Sequence, residues 1–231
     1  MAALGDSLTL AYPNTVEESW STGGNPFVRS HYFRILTAGG GAIRGHAYNL
    51  AVPGATFGAM QVQARRAIAK HVEYVTILGG EEWCGVDDIA PLEHDFDALL
   101  RVFTRGTPQP WVFVASVRDQ GAIYRTLKAH RAAVLRNIAY GVRICGAVLG
   151  NTAKLDSAAS YVTAARASTR RVNDTLERIC RRHPRCRFDG YAVFRMPIDI
   201  GDVATDYVHM TAAGQRKLAQ VTWQATFPFG R

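Results

Sequence analysis

The chain has 231 residues, 48% hydrophobic and 20% charged side chains and a formal net charge of +8. This describes a globular protein large enough to bury a full core, and its longest apolar runs fall well short of a membrane span. The positive charge is mostly dispersed arginine, densest at Arg170-Arg171 and at Arg181-Arg182-His183 with Arg185 and Arg187. That distribution reads as a solvated helix face and argues against a nucleic-acid-binding patch, which needs its charge concentrated on one face.

Short β-branched or aromatic runs alternate with amphipathic stretches along the chain. A strand is predicted at 2–5, followed by Ser7 at the first turn of a helix, then a helix over 26–38. "TAGGGAIRG" (37–45) follows a helix, not a strand, so it reads as a helix stop and loop instead of a dinucleotide fingerprint. A strand at 46–52, a helix at 57–71 and a strand at 73–79 come next. The helix at 91–104 opens on Pro91 and carries Leu92, Phe96, Leu99, Leu100 and Phe103 at helical spacing. The strand at 111–117 precedes helices at 121–138 and 158–182, a weaker strand at 186–190 and a helix at 211–224. Apolar strands alternating with amphipathic helices argue an α/β fold, a parallel sheet covered on both faces. No linker or repeat divides the chain, so residues 1–231 are expected to form a single domain.

In an open parallel sheet, reactive groups gather beyond the carboxyl ends of the strands, which directs attention to the positions after residues 5, 52, 79 and 190. After the first strand stands Gly5-Asp6-Ser7-Leu8. A serine there is either a helix cap or a nucleophile whose own N–H can receive negative charge. After the second strand, Gly54 can offer an unobstructed N–H or simply make a turn. Near the C-terminus, Asp206 and His209 lie three residues apart just before a helix. One turn of separation lets the carboxylate orient one imidazole nitrogen while the other faces a serine. The loops around 10–30, 83–91, 117–122 and 191–205 would shape a pocket; their Tyr12, Trp20, Trp83, Tyr191, Phe194 and Met196 suit an apolar acyl chain, although such residues more often serve ordinary loop packing, and Arg118, Asp119 and Asp202 could equally contact a polar substrate. Four cysteines, Cys84, Cys145, Cys180 and Cys186, allow three pairings or none; Cys180 and Cys186 bracket a short connection across which they could meet.

Taken together, Gly5-Asp6-Ser7-Leu8, the block Asn49 to Gly54, and Asp206-Tyr207-Val208-His209 followed by "TAAGQRKLA" resemble the GDSL-type, or SGNH, hydrolases. "ESWSTGGNP" (18–26), "ICGAVLGN" (144–151) and "CRFDGYAVF" (186–194) add similarity to the secreted actinobacterial branch. The resemblance implies a three-layer α/β/α sandwich with a central five-stranded parallel sheet. It implies ester hydrolysis without metal or organic cofactor; the expected partner is a small-molecule or lipid ester, with no nucleic acid and no stable membrane insertion, and the chain is expected to be a monomer. Ser7 would be the nucleophile, His209 the general base and then acid, and Asp206 the orienting carboxylate. The N–H groups of Ser7 and Gly54 would form part of the oxyanion hole. The branch is mostly exported and disulfide-bonded, which favours oxidised cysteines and an extracellular origin; no arginine-led apolar leader precedes the first strand, so a signal peptide is not expected within this chain.

One block departs from the family. Where its third block reads Gly-x-Asn-Asp and the Asn amide donates to the oxyanion, this chain has Gly79-Gly80-Glu81-Glu82. A carboxylate at Glu81 cannot donate and would repel the developing charge, and losing one such donor typically costs about 10²–10³ in rate. Protonation of Glu81 by burial, a swing that lets water replace it, or a different substrate chemistry would each relieve the conflict. The competing reading is a relative that binds an ester, lipid or glycan with little or no turnover.

Overall fold

The computed structural model describes residues 1–39, 41–148 and 158–228. In chain order its elements are β1 (Ala2–Gly5), α1 (Ser7–Leu10), α2 (His31–Thr37), β2 (Tyr48–Asn49), α3 (Phe57–Ala69), β3 (Tyr74–Leu78), α4 (Ala90–Phe103), β4 (Trp111–Val114), α5 (Gln120–Lys128), α6 (Arg131–Ala139), β5 (Arg143–Ile144), β6 (Ala147–Val148), α7 (Ala158–Cys180), β7 (Cys186–Phe188) and α8 (Ala212–Ala225). Five strands form one parallel sheet in the order β2-β1-β3-β4-β7, and β5 and β6 make a separate antiparallel pair.

The sheet is buried on both faces, and its side chains divide by the two-residue period of a strand. Ala2, Leu4, Val75, Ile77, Val112 and Val114 point into one apolar layer with Phe57, Met60 and Ala64 of α3, Leu92, Phe96 and Leu99 of α4, and Val172, Leu176 and Ile179 of α7. Tyr74, Leu78 and Phe113 point into the other, with Ile123, Tyr124 and Leu127 of α5, Leu218 and Ala219 of α8, and Ile35 of α2 at its edge. Helices therefore cover both faces, which makes a three-layer α/β/α sandwich.

All five strands run the same way, so their carboxyl ends emerge on one side. The chain leaves β1 for β2 in one direction and then crosses to β3 on the other flank of β1. The strand order reverses between β1 and β3, the place where such sheets open a crevice. Gly5 pairs with Leu78 at the end of that ladder, so the segments after β1 and β3 leave the sheet side by side. Gly5 is required by this closeness: a Cβ there would stand 2.6 Å from the Leu78 carbonyl oxygen and 2.3 Å from Thr9 Oγ1.

Several expectations are modified. The predicted helix at 26–38 begins only at His31, because Ser30 caps it by accepting from the Phe33 N–H. Residues before it are held in a turn by the Asn25 carbonyl. The predicted helix at 121–138 is two helices. Ile123, Tyr124 and Leu127 are buried in α5, whereas Ala133 and Asn137 are buried in α6. A continuous helix would carry the apolar face onto positions 131, 134 and 138 instead. The strand expected at 46–52 pairs over Tyr48–Asn49 alone, and the β5–β6 hairpin was not anticipated. Gly40 of "TAGGGAIRG" and residues 149–151 of "ICGAVLGN" lie outside the described residues.

The cysteines form two disulfides, Cys84–Cys145 and Cys180–Cys186. The first ties the turn after β3 to the β5–β6 hairpin, and the second closes the connection from α7 into β7.

Candidate active site

Ser7 opens α1 immediately after β1, with Asp6 as the cap: its carboxylate accepts from the Leu8 N–H at 2.8 Å. The serine hydroxyl lies 2.9 Å from His209 Nε2. His209 Nδ1 lies 2.7 Å from Asp206 Oδ2, while Asp206 Oδ1 accepts from the backbone N–H of His209 at 3.0 Å and of Val208 at 2.9 Å. The four-residue turn from Asp206 to His209 thus fixes its own carboxylate, and that carboxylate selects the tautomer with Nδ1 protonated and Nε2 free to accept from Ser7. Partial burial works against ionisation of Asp206, but the N–H groups and ring of His209 and the Val208 N–H outweigh it and hold its carboxyl below the usual carboxylate range. This turn is pinned to the body by the Val203–Met210 bridge and by Asn14, whose amide donates to the Met210 carbonyl.

A shallow pocket of about 180 Å³ opens beside Ser7, lined by Asp6, Ser7, Gly54, Ala55, Thr56, Glu81 and Glu82. Gly54 sits at φ 72° with open space where a Cβ would be, so its backbone approaches the pocket without a side chain in the way. Glu81 begins a short turn after β3. Its carboxylate accepts two bonds from one guanidinium: Arg118 Nε to Oε1 at 2.6 Å and Arg118 Nη2 to Oε2 at 2.9 Å. The Arg118 side chain is only 7% exposed and that of Glu81 27%. None of the three expected ways of relieving the Glu81 conflict anticipates this pairing.

Negative charge around the pocket is costly. Burial first, and Glu81 second, push Asp6 up to about 6. Burial likewise raises Glu82, opposed by local N–H donors. For Arg118, burial works against the charged form, but the Glu81 carboxylate outweighs it and raises the guanidinium above its ordinary value.

Of the other predicted pocket residues, only Tyr12 flanks the serine and histidine, its ring edge-on to His209 with centroids 4.8 Å apart and half exposed. Trp20, Phe194 and Met196 are buried, Trp20 and Met196 among the core side chains. Asp119 caps α5 through the Ala122 N–H and pairs with Arg166 at 2.8 Å. Asp202 pairs with Lys217 at 2.6 Å. The residue that sequence reasoning underweighted is Arg118, named there only as one polar loop contact. It follows β4, and the same strand-end rule applied to that strand would have placed it at the site. Among the described residues no group of three or more His, Cys, Asp or Glu side chains is placed to hold a metal ion, and no helix is long and apolar enough to cross a membrane.

No protein-family model matches the sequence, and no curated protein matches it either. Solved structures do. One titled as TesA superposes with a TM-score of 0.56 at 12% identity, over 98% of this chain and 97% of that one. The lipase Lip_vut3 from goat rumen metagenome gives 0.54 at 14% identity, over 98% and 96%. The psychrotrophic esterase EstA from Pseudoalteromonas sp., in a structure inhibited by monoethylphosphonate, gives 0.52 at 12% identity, over 97% and 94%. At these identities the likeness is one of fold, and it extends over nearly the full length of each chain.

Proposed function

We propose that residues 1–231 form one SGNH/GDSL-type domain that hydrolyses carboxylic or carbohydrate-linked esters through Ser7, His209 and Asp206. The observation that carries this reading is the hydrogen-bonded run Asp206–His209–Ser7 opening onto a pocket edged by Gly54. In the reaction, Ser7 Oγ attacks the acyl carbonyl while His209 Nε2 takes its proton, and Asp206 stabilises the imidazolium. The N–H groups of Ser7 and Gly54 hold the oxyanion, and Glu81, an acceptor only, supplies no donor. Collapse of the intermediate returns the proton from His209 to the leaving alcohol. Water then attacks the acyl-serine with His209 again acting as base, and collapse of this second intermediate breaks the acyl–Oγ bond, releases the acid and returns the proton from His209 to Ser7 Oγ. No cofactor enters this scheme. Structural likeness to an esterase and a lipase supports the substrate class, and the two disulfides support a working place outside the cytoplasm, where the chain would act as a monomer.

The test is incubation with short-chain aryl esters and a fluorophosphonate. Labelling of Ser7, with loss of both labelling and turnover in S7A, is expected; an unlabelled Ser7, or an S7A protein that hydrolyses as well as the parent, overturns the reading. A second reading, a binder of esters, lipids or glycans with little turnover, draws on Glu81 alone. It is distinguished by ligand retention in a protein whose Ser7 is unreactive.

A further inference from the structure

The oxyanion side of Ser7 carries a carboxylate in the place where the reaction needs a donor. We infer that Arg118 is a positioning residue for the reaction proposed above: clamped on Glu81 through two hydrogen bonds, it neutralises that carboxylate and keeps its oxygens engaged, so that the pocket can accept the negative charge formed at the Ser7-bound carbon. This rests on the ester-hydrolase reading. Asp6, Glu81 and Glu82 all line this pocket, and Arg118 is the cation that acts on Asp6 as well as on Glu81 among the described residues.

The rest of the molecule is built to hold this pair rigid from both ends. On the Arg118 side, the loop after β4 is fixed residue by residue. Ser116 donates through its N–H at 2.9 Å and its hydroxyl at 2.8 Å to the buried carboxylate of Asp189. Asn173 of α7 receives the Val117 N–H at 2.7 Å and donates to the Val117 carbonyl at 3.0 Å. Asp119 then caps α5 and is paired with Arg166 of α7. On the Glu81 side, the turn is followed at once by Cys84, bonded to Cys145, and by Gly85, whose N–H donates to Ser168 of α7 at 2.8 Å. One helix therefore braces both halves of the ion pair. A bidentate arginine–carboxylate contact whose backbones are fixed in this way loses little further freedom on forming, and its geometry cannot drift toward Ser7.

Arg118 touches Glu81 and not the reacting atoms, so its effect must vanish when Glu81 is removed. The test is a double-mutant cycle on the full chain with E81Q, R118M and E81Q/R118M, alongside R118K. Each is assayed for p-nitrophenyl acetate turnover and for the rate of Ser7 labelling by a fluorophosphonate. R118M is expected to lower kcat about 10²-fold with KM changed by less than about threefold, the lower end of the loss seen when one oxyanion donor is removed. Adding E81Q to R118M should recover at least about tenfold of that, and R118K should fall between parent and R118M. Between E81Q and E81Q/R118M, kcat should differ by no more than about threefold, and this arm stands even where R118M fails to fold. An R118M protein as fast as the parent, a loss confined to KM, or a loss as large in the E81Q background as in the parent overturns the inference alone. A parent whose Ser7 does not react with the phosphonate overturns the hydrolase reading and this inference with it.

Discussion

Two walls flank Ser7, and they are assembled by different means. The histidine side is local: Asp206 and His209 lie on one turn, and the carboxylate that orients the ring is also bonded to that turn's own N–H groups. The opposite side is assembled from the ends of three strands, with Asp6 after β1, Glu81 after β3 and Arg118 after β4, and it is braced from behind by α7. The histidine side has a carboxylate held ionised, whereas the pocket side has two carboxyls, Asp6 and Glu82, pushed upward by burial and one guanidinium that balances Glu81. The difference teaches that a short motif can be self-sufficient when its hydrogen bonds close within a few residues. The charge balance of the pocket beside Ser7 depends instead on the sum of charges that distant segments bring to it.

The sharpest way to separate the two walls is to remove the group they share. S7A is expected to reduce ester turnover by about 10³-fold or more and abolish phosphonate labelling while leaving the fold intact, measured by turnover and thermal unfolding. On the histidine side, the proposed mechanism expects D206N to lower kcat by about 10²–10⁴-fold, because an amide neither stabilises the imidazolium nor enforces the same tautomer. If D206N retained parental kcat, the local wall would not be acting through His209.

On the pocket side, beyond the Arg118 substitutions, the expected effects are smaller and show in stability. Asp6 is raised from 3.8 to about 6, so it favours the fold fully below about pH 4, and that contribution is lost as the pH rises through about 6. The loss corresponds to about 2–3 kcal/mol. Urea midpoints at pH 4 and pH 7 should therefore fall more steeply in the parent than in D6N, whose amide oxygen can still cap Leu8. Equal slopes would mean that Asp6 ionises freely and the charge account of this wall is wrong. Smallest is N173A, which strips both partners from the Val117 backbone and should cost about 1–3 kcal/mol in thermal unfolding. If N173A left stability untouched, α7 would not be bracing the Arg118 loop.

Much of the fold was legible in the sequence because its signals are local or periodic. The fully buried run Tyr74–Leu78 and the spacing of Leu92, Phe96, Leu99, Leu100 and Phe103 each declare an element without reference to the rest of the chain. The break between α5 and α6 contains neither proline nor glycine, and only the change of buried face across it marks the place. At the site, strand ends and a one-turn spacing picked out Ser7, Gly54, Asp206 and His209 as candidates, each with a plain structural alternative, and the family resemblance of their blocks joined them into one expected site. Trp20 and Met196 read in the sequence either as pocket wall or, more often, as packing, and the structure makes them core; an aromatic or methionine in a loop carries no mark of the direction it faces.

By itself, then, the sequence determined the alternation of strands and helices, the acid–histidine turn and the serine at the end of the first strand, all features whose physics closes within a few residues. It also placed a glutamate at position 81 without saying what that charge would meet. Only the tertiary structure decided this. The parallel order of the sheet brings the loop after β4 beside the turn after β3 and sets the Arg118 guanidinium against Glu81 across 37 residues of chain. Coulomb attraction depends on distance in space, and no local pattern in the sequence records it.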